Sequence, residues 1–392
     1  MHTEIPTKRQ LEFMDWELGV FFHFGIRTFN EGHRDWDGVP MDPATFNPSA
    51  FDAEQWIGTA RAGGAKYAVL TAKHHDGFAL WSSAYTEYSV KNTPWKNGRG
   101  DAVAEFIAAC RKYGLKAGLY YSPAQFGSRA MQGKEYDDYF ISQISELLTN
   151  YGKIDYLWFD GCGSEGHEYD APRIIAAIRA LQPDILIFNM WDPDTRWVGN
   201  EEGVAPPDAR NVVDGAFLPY ECDCKIRPYN WFYSENDADT LRTAENIMGL
   251  YDLSVGRGGN LLINIGPDRR GLLPEADAAR FAAFGEALRG RFAHPLPVKI
   301  DRAGDAFALT SDDAVSPHTL VLSEDLTNGE HIDAIRLLYE YPGGEIPLWE
   351  GAAVGHKRII SFPPVLLWND RRLKVEISTP GGADHIKSFL LY

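Results

Sequence analysis

The residues best suited to chemistry in this 392-residue chain stand where short apolar runs end. Phe21-Phe22-His23-Phe24-Gly25 closes one run, Lys73-His74-His75-Asp76-Gly77-Phe78 follows a second, and Tyr120-Tyr121-Ser122 closes a third. Trp158-Phe159-Asp160-Gly161 closes a fourth, and a later segment reads Arg196-Trp197-Val198-Gly199-Asn200-Glu201. Histidines, two candidate carboxylates and several aromatic rings are the set that cleavage of a glycosidic bond requires. One carboxylate attacks the anomeric carbon or activates water, the other protonates the departing oxygen, and rings and hydrogen-bonding groups hold the sugar. Asp160 and Glu201 fit those two needs, and Glu221, also on a strand-like run, rivals Glu201 as the proton donor. Each has an ordinary alternative: Asp160 as a turn or helix cap, Glu201 as a solvated loop carboxylate, and His23, lone in an aromatic run, as a core histidine.

Adjacent His74 and His75 lie on an extended segment, so they point to opposite sides, and no third ligand has suitable spacing. No metal is therefore expected. Neutral imidazoles, with one donor and one acceptor each, suit sugar hydroxyls, although backbone groups in a barrel wall would satisfy them equally. Cys222-Asp223-Cys224 is too short for a zinc pair and reads as structural thiols. Gly256-Arg257-Gly258-Gly259-Asn260 precedes a strand instead of opening a helix, which makes it a turn and not a phosphate cradle. No cofactor is implied.

Such residues must be gathered on one rim. As far as about Pro295, apolar runs alternate with amphipathic helical patterns, the signature of a parallel sheet. Strands are expected at Gly19 to Phe24, Lys66 to Thr71, Leu115 to Tyr121, Ile154 to Asp160, Ile185 to Asn189, near Trp197 to Glu201, near Tyr220 to Cys224, and at Asn260 to Ile265. Helices are expected at Asp52 to Ala62, Asp101 to Tyr113, Tyr136 to Asn150, Pro172 to Leu181, Thr240 to Ser254 and Glu275 to Arg289. Eight strands predict an α/β fold, a (β/α)8-like barrel of some irregularity over residues 1–295, whose active site would sit at the C-terminal strand ends. From Val298 to Tyr392, turn residues separate short alternating runs such as Thr319 to Ser323, Ala334 to Tyr339 and Leu373 to Ser378. That texture predicts a C-terminal β-sandwich over residues 296–392, after the linker-like Ala293-His294-Pro295-Leu296-Pro297.

Composition narrows the partners. With 44% hydrophobic and 24% charged residues the chain is globular, and no apolar stretch is long enough to span a membrane. A net charge of −17 without a basic run argues against nucleic acid. The start, Met1 to Gln10, is polar, so the expectation is a soluble protein, cytoplasmic as written and periplasmic or secreted if a leader has been removed. Four cysteines are too few for a disulfide framework, whereas 11 Trp and 18 Tyr exceed what a core needs and suggest stacking platforms for sugars.

In these motifs the chain resembles the α-L-fucosidases of glycoside hydrolase family 29, over nearly its whole length. Gly19-Val20-Phe21-Phe22-His23-Phe24-Gly25, Lys73-His74-His75-Asp76-Gly77-Phe78, Trp158-Phe159-Asp160-Gly161 and Gly259-Asn260-Leu261-Leu262-Ile263-Asn264-Ile265-Gly266-Pro267 occur in the family's order and at roughly its spacings. The resemblance implies a barrel followed by a β-sandwich, and retaining, exo-acting hydrolysis of terminal α-L-fucose from a fucosylated oligosaccharide or glycoconjugate. It implies Asp160 as nucleophile and His23, His74, His75, Tyr121 and Trp158 as fucose contacts, with Tyr120 second for the tyrosine. Arg196 to Glu201, Glu221 to Phe232, and Trp349-Glu350-Gly351 through Ile359 are similar to the branch that prefers α-1,3 and α-1,4 linkages. In that branch Glu201 is the acid/base, and Arg196 and Trp231 become substrate contacts. Phe24 stands where the family often has Trp, and Arg34-Asp35-Trp36 loosely matches its acidic-aromatic sugar contact, which makes Asp35 and Trp36 candidates. Two other readings remain: a barrel glycosidase for another sugar, and a carbohydrate-binding protein without turnover, the latter disfavoured by the presence of both carboxylates.

Overall fold

Eight parallel strands form the wall that carries the site: β1 Leu18–Phe22, β2 Tyr67–Lys73, β3 Lys116–Tyr121, β4 Tyr156–Trp158, β5 Leu186–Phe188, β6 Arg196–Trp197, β7 Tyr220–Lys225 and β8 Asn260–Asn264. The computed structural model describes residues 3–32, 39–124, 131, 133–161 and 167–392, so the candidates Asp35 and Trp36 lie outside the described residues. The sheet order is β5-β4-β3-β2-β1-β8-β7-β6. A single parallel bridge, Phe188 to Thr195, joins its two ends, with Asn189 N–H donating to the Thr195 carbonyl at 2.9 Å. The barrel thus closes through a thin seam. Every residue of β1, β2 and β8 is buried, as a wall covered on both faces requires.

Helices α2 (Ala53–Ala62), α3 (Ala102–Tyr113), α4 (Gly133–Asn150), α5 (Ala171–Leu181) and α6 (Ala244–Ser254) return the chain between strands, after the short α1 (Lys8–Met14) and before α7 (Glu275–Arg291). Asp52, Asp101, Asp170 and Thr243 cap α2, α3, α5 and α6 with side-chain oxygens on first-turn N–H groups. The regular alternation fails between β5 and β7. Segments 189–195 and 198–219, all described, hold no helix; the first turns back through Asn189 and Trp191, both at φ 64°. β6 is only two residues long in consequence.

Strand alternation divides the side chains into two shells. Phe21, Tyr67, Tyr120, Tyr156, Trp158 and Phe188 fill the barrel interior, whereas Val20, Phe22, Ala68, Leu70, Tyr121 and Leu157 pack outward against the helices. Strands β9 to β16 follow: Lys299–Ala303, Ala306–Thr310, Thr319–Glu324, Ala334–Tyr341, Gly344–Ala352, Arg358–Ser361, Arg372–Ile377 and Ile386–Leu391. They make a five-stranded sheet, β9-β10-β15-β12-β13, and a three-stranded one, β14-β11-β16, around a core of their own that includes Leu309, Leu320, Ile335 and Val375. Among the described residues no helix is long and apolar enough to cross a membrane.

Candidate active site

A cavity of about 660 Å³ opens at the C-terminal ends of the barrel strands. His23, immediately after β1, places Nδ1 at 2.8 Å from the Asn264 Oδ1 at the end of β8. Asn264 Nδ2 donates to the Trp231 carbonyl, which leaves its Oδ1 as the acceptor. His23 in its neutral form therefore carries its proton on Nδ1, and Nε2 is an acceptor. His75, after β2, is oriented in the same way. The single Ser122 hydroxyl proton goes to the Ala124 carbonyl at 2.9 Å, so Ser122 Oγ accepts from His75 Nδ1–H at 2.5 Å. Its Nε2 lies 3.5 Å from Asp160 Oδ2. Both imidazoles are thus oriented through Nδ1, and both line the cavity. His74 stacks on Tyr120 at 5.3 Å between centroids and meets Phe232 edge-on.

Asp160 stands two residues beyond β4, and its side chain is 31% exposed. Tyr120 Oη donates to its Oδ2 at 3.0 Å. Trp158, on the same strand end, is clamped between Phe188 and Tyr120, stacking on the first at 4.2 Å, and donates Nε1–H to Glu221 at 2.8 Å. On the loop after β6, Glu201 also lines the cavity; it is half exposed and accepts from Lys225 Nζ at 2.9 Å and Trp231 Nε1 at 3.1 Å. The Trp231 ring leans on His23, 4.8 Å between centroids.

Two expected contacts are not brought to the cavity. Tyr121 faces the outer shell, where its hydroxyl donates to Gln143 Oε1 at 2.8 Å; Tyr120 holds the inward place because neighbours on a strand face opposite sides. Arg196 is likewise on the far side of β6: its guanidinium lies over the Tyr220 ring and donates to the Arg210 carbonyl, while its neighbour Trp197 lines the cavity.

Glu221 is separated from Glu201 by depth. It is wholly enclosed within the barrel, where Tyr67 Oη at 2.5 Å and Trp158 Nε1 donate to it, and burial pushes its pKa up to about 8 against those hydrogen bonds. It does not line the cavity. Two residues on, Asp223 does; Trp197 Nε1 donates to it at 2.6 Å. Burial, with the neighbouring Glu201 and Asp160 carboxylates, pushes Asp223 up to about 7. Sequence reasoning missed Asp223, Lys225, Trp197 and Asn264 as site residues. For β7 a signal existed: in Glu221-Cys222-Asp223-Cys224-Lys225 polar residues alternate with thiols, which places the polar set on the inner face. Among the described residues no cluster of three or more His, Cys, Asp or Glu is arranged to hold a metal.

Known proteins carry the same plan. Alpha-L-fucosidase 1 of Arabidopsis thaliana is 32% identical over 437 aligned residues, covering 95% of this chain and 84% of that protein. Plasma alpha-L-fucosidase of Rattus norvegicus is 30% identical over 263 residues, and the match spans 62% of this chain and 56% of the rat protein. The crystal structure of a glycoside hydrolase 29 family member from an unknown rumen bacterium superposes with a TM-score of 0.92 at 31% identity, covering 100% of this chain and 77% of that one. The sequence profile of the alpha-L-fucosidases matches residues 4–291, the stretch from α1 to α7 that builds the whole barrel and its cavity. The chain belongs to the α-L-fucosidase family, glycoside hydrolase family 29.

Proposed function

We propose that this chain is a retaining, exo-acting α-L-fucosidase in which Asp160 is the nucleophile and Glu201 the acid/base. The observation that carries the assignment is the placing of these two carboxylates on one cavity in opposite surroundings. Asp160, just beyond the end of β4, accepts a hydrogen bond from the Tyr120 phenol and lies beside the His75 imidazole. Glu201 lines the same cavity and is half exposed to solvent. In the first step an Asp160 oxygen bonds to the anomeric carbon as the glycosidic C–O bond breaks and Glu201 passes its proton to the leaving oxygen. In the second step Glu201, as a carboxylate beside the Lys225 ammonium, takes a proton from water. That water then displaces Asp160. His23, His75, Trp158 and Tyr120 hold the sugar meanwhile.

A direct attack calls for carboxyl groups roughly 5 to 5.5 Å apart, whereas inversion needs about 6.5 to 9.5 Å for an intervening water. NMR of the first-formed product from an aryl α-L-fucoside should show α-fucose, and initial release of the β-anomer would overturn the nucleophile assignment. A preference for α-1,3 and α-1,4 linkages rests on the resemblance of the Arg196 to Glu201 and Glu221 to Phe232 segments to that branch; Trp197, Tyr229 and Trp231 from these segments line the cavity. A panel of nitrophenyl glycosides tests the sugar: turnover of a galactoside or xyloside without turnover of the fucoside would favour a glycosidase of another specificity.

A further inference from the structure

We infer that Asp223 is a positioning residue that fixes the indole of Trp197 as a platform for the sugar from which fucose is cleaved. This rests on the reading of Asp160 and Glu201 given above. β6, of two residues, is the shortest strand of the barrel. Its two residues pair with β7, and the Phe188 to Thr195 bridge is its tie to the other side of the seam. The loop that follows bends through Gly199 at φ 98° and Gly203 at φ 73° and carries Glu201 between them. A strand this short has little ladder with which to hold a large ring in one place. The hydrogen bond from Trp197 Nε1 to Asp223 Oδ1, at 2.6 Å, supplies the missing constraint from a six-residue neighbour paired along β8.

The ring so held is open. Trp197 is 36% exposed and lines the cavity together with Asp160, Glu201 and Asp223. Among the described residues no aromatic ring or cation packs against its faces. Trp231, the other indole beside Glu201, is differently engaged, between His23 on one side and Lys225 Nζ at 4.5 Å. The leaving oxygen must lie within reach of Glu201, so the sugar that bears it emerges past the Glu201 loop, and Trp197, four residues upstream, offers an apolar face there.

Burying a carboxyl merely to anchor an indole looks costly, and the groups around Asp223 explain why it is tolerated. Asp160 from β4, Glu201 from the β6 loop and Glu221 from β7 all oppose its charge, and Lys225 at the mouth is held by Glu201. Its raised proton affinity, about 7, therefore leaves both protonation states accessible near neutrality. Either state accepts the indole N–H at Oδ1. What the site uses is the acceptor and not the charge, and asparagine keeps that acceptor.

The test compares wild type with D223A, D223N, W197A and the D223A/W197A pair, each verified as folded by its thermal transition. Substrates are 4-nitrophenyl α-L-fucoside and a trisaccharide with fucose α-1,4-linked to a galactosyl-N-acetylglucosamine. D223A is expected to raise KM for the trisaccharide about tenfold more than for the aryl fucoside, the scale of one lost hydrogen bond to a buried donor. D223N should recover most of that loss, and D223A should add little on top of W197A. The inference is overturned if D223N loses as much as D223A, if both substrates suffer equally, or if the two alanine losses multiply. Absence of any fucoside turnover by the wild type would overturn the functional reading, and this inference with it; any of the former results with an active wild type overturns the inference alone.

Discussion

Glu221 tests how the barrel interior supports the wall of the site. Its carboxyl is wholly enclosed, and burial raises its pKa from the ordinary 4.5 to about 8. The folded chain therefore holds this proton more tightly than the unfolded chain. Stability from this group is intact below about pH 4.5, falls as the pH rises, and levels off only above about pH 8. Integrated between pH 5 and pH 9, the loss is roughly 4 kcal/mol. With an unfolding entropy of about 2.1 cal/mol/K per residue over 392 residues, that corresponds to about 5 °C in Tm. Glu221→Gln reproduces the protonated form at every pH. Its Oε1 can accept from Trp158 and its Nε2 can donate to the Tyr67 hydroxyl, which accepts as readily as it donates, whereas an indole N–H only donates. Scanning calorimetry of both proteins at matched ionic strength should show wild type losing about 5 °C relative to the variant as the pH rises from 5 to 9. Groups common to both proteins cancel in that difference. A difference that stays constant with pH would refute the reasoning, because it would mean that the phenol and indole donors keep Glu221 anionic in spite of its burial.

Three further outcomes follow from the placing of single groups. Tyr120→Phe removes the donor to Asp160 and should lower kcat/KM about 10- to 100-fold, whereas Tyr121→Phe should cost about 1 kcal/mol of stability with little change in rate; the reverse pattern would return the site role to Tyr121. Glu201→Ala should retain fucosyl-enzyme formation on a dinitrophenyl fucoside, lose most activity on a trisaccharide, and regain turnover with azide to give α-fucosyl azide; the same pattern in Glu221→Ala instead would move the acid/base role there. Fucose linked α-1,3 or α-1,4 to N-acetylglucosamine should be released faster than the α-1,2-linked fucose of 2′-fucosyllactose, and equal or reversed rates in a competition assay would sink the linkage preference.

Much of this protein is legible in one dimension because a parallel barrel strand is buried on both faces and ends at a wet rim. Most such strands read as an apolar run with chemistry at the C-terminal end, and seven of the eight expected strands overlie observed ones; the sixth, expected near Trp197 to Glu201, is only Arg196–Trp197, and Glu201 lies on the loop after it. His23, His74, His75, Trp158 and Asp160 reach the cavity for that reason, and Glu201 and Trp231 reach it from the loops after β6 and β7. Local sequence could not decide which of two adjacent side chains points inward. Alternation has period two, but its phase is set by register against neighbouring strands, so Tyr120 prevails over Tyr121 and Trp197 over Arg196 only once β3 and β6 are paired. Nor could it decide depth. Glu221 and Asp223 share one face of β7, yet the first is sealed under Trp158 and the second floors the cavity, a difference made by side chains from β2, β4 and β6 that are distant in the chain. Residue types and their spacing thus specified the strands and the chemistry they could deliver. Which carboxyl faces the cavity was decided by long-range packing, because burial and hydrogen-bond partners belong to the assembled barrel and not to any strand alone.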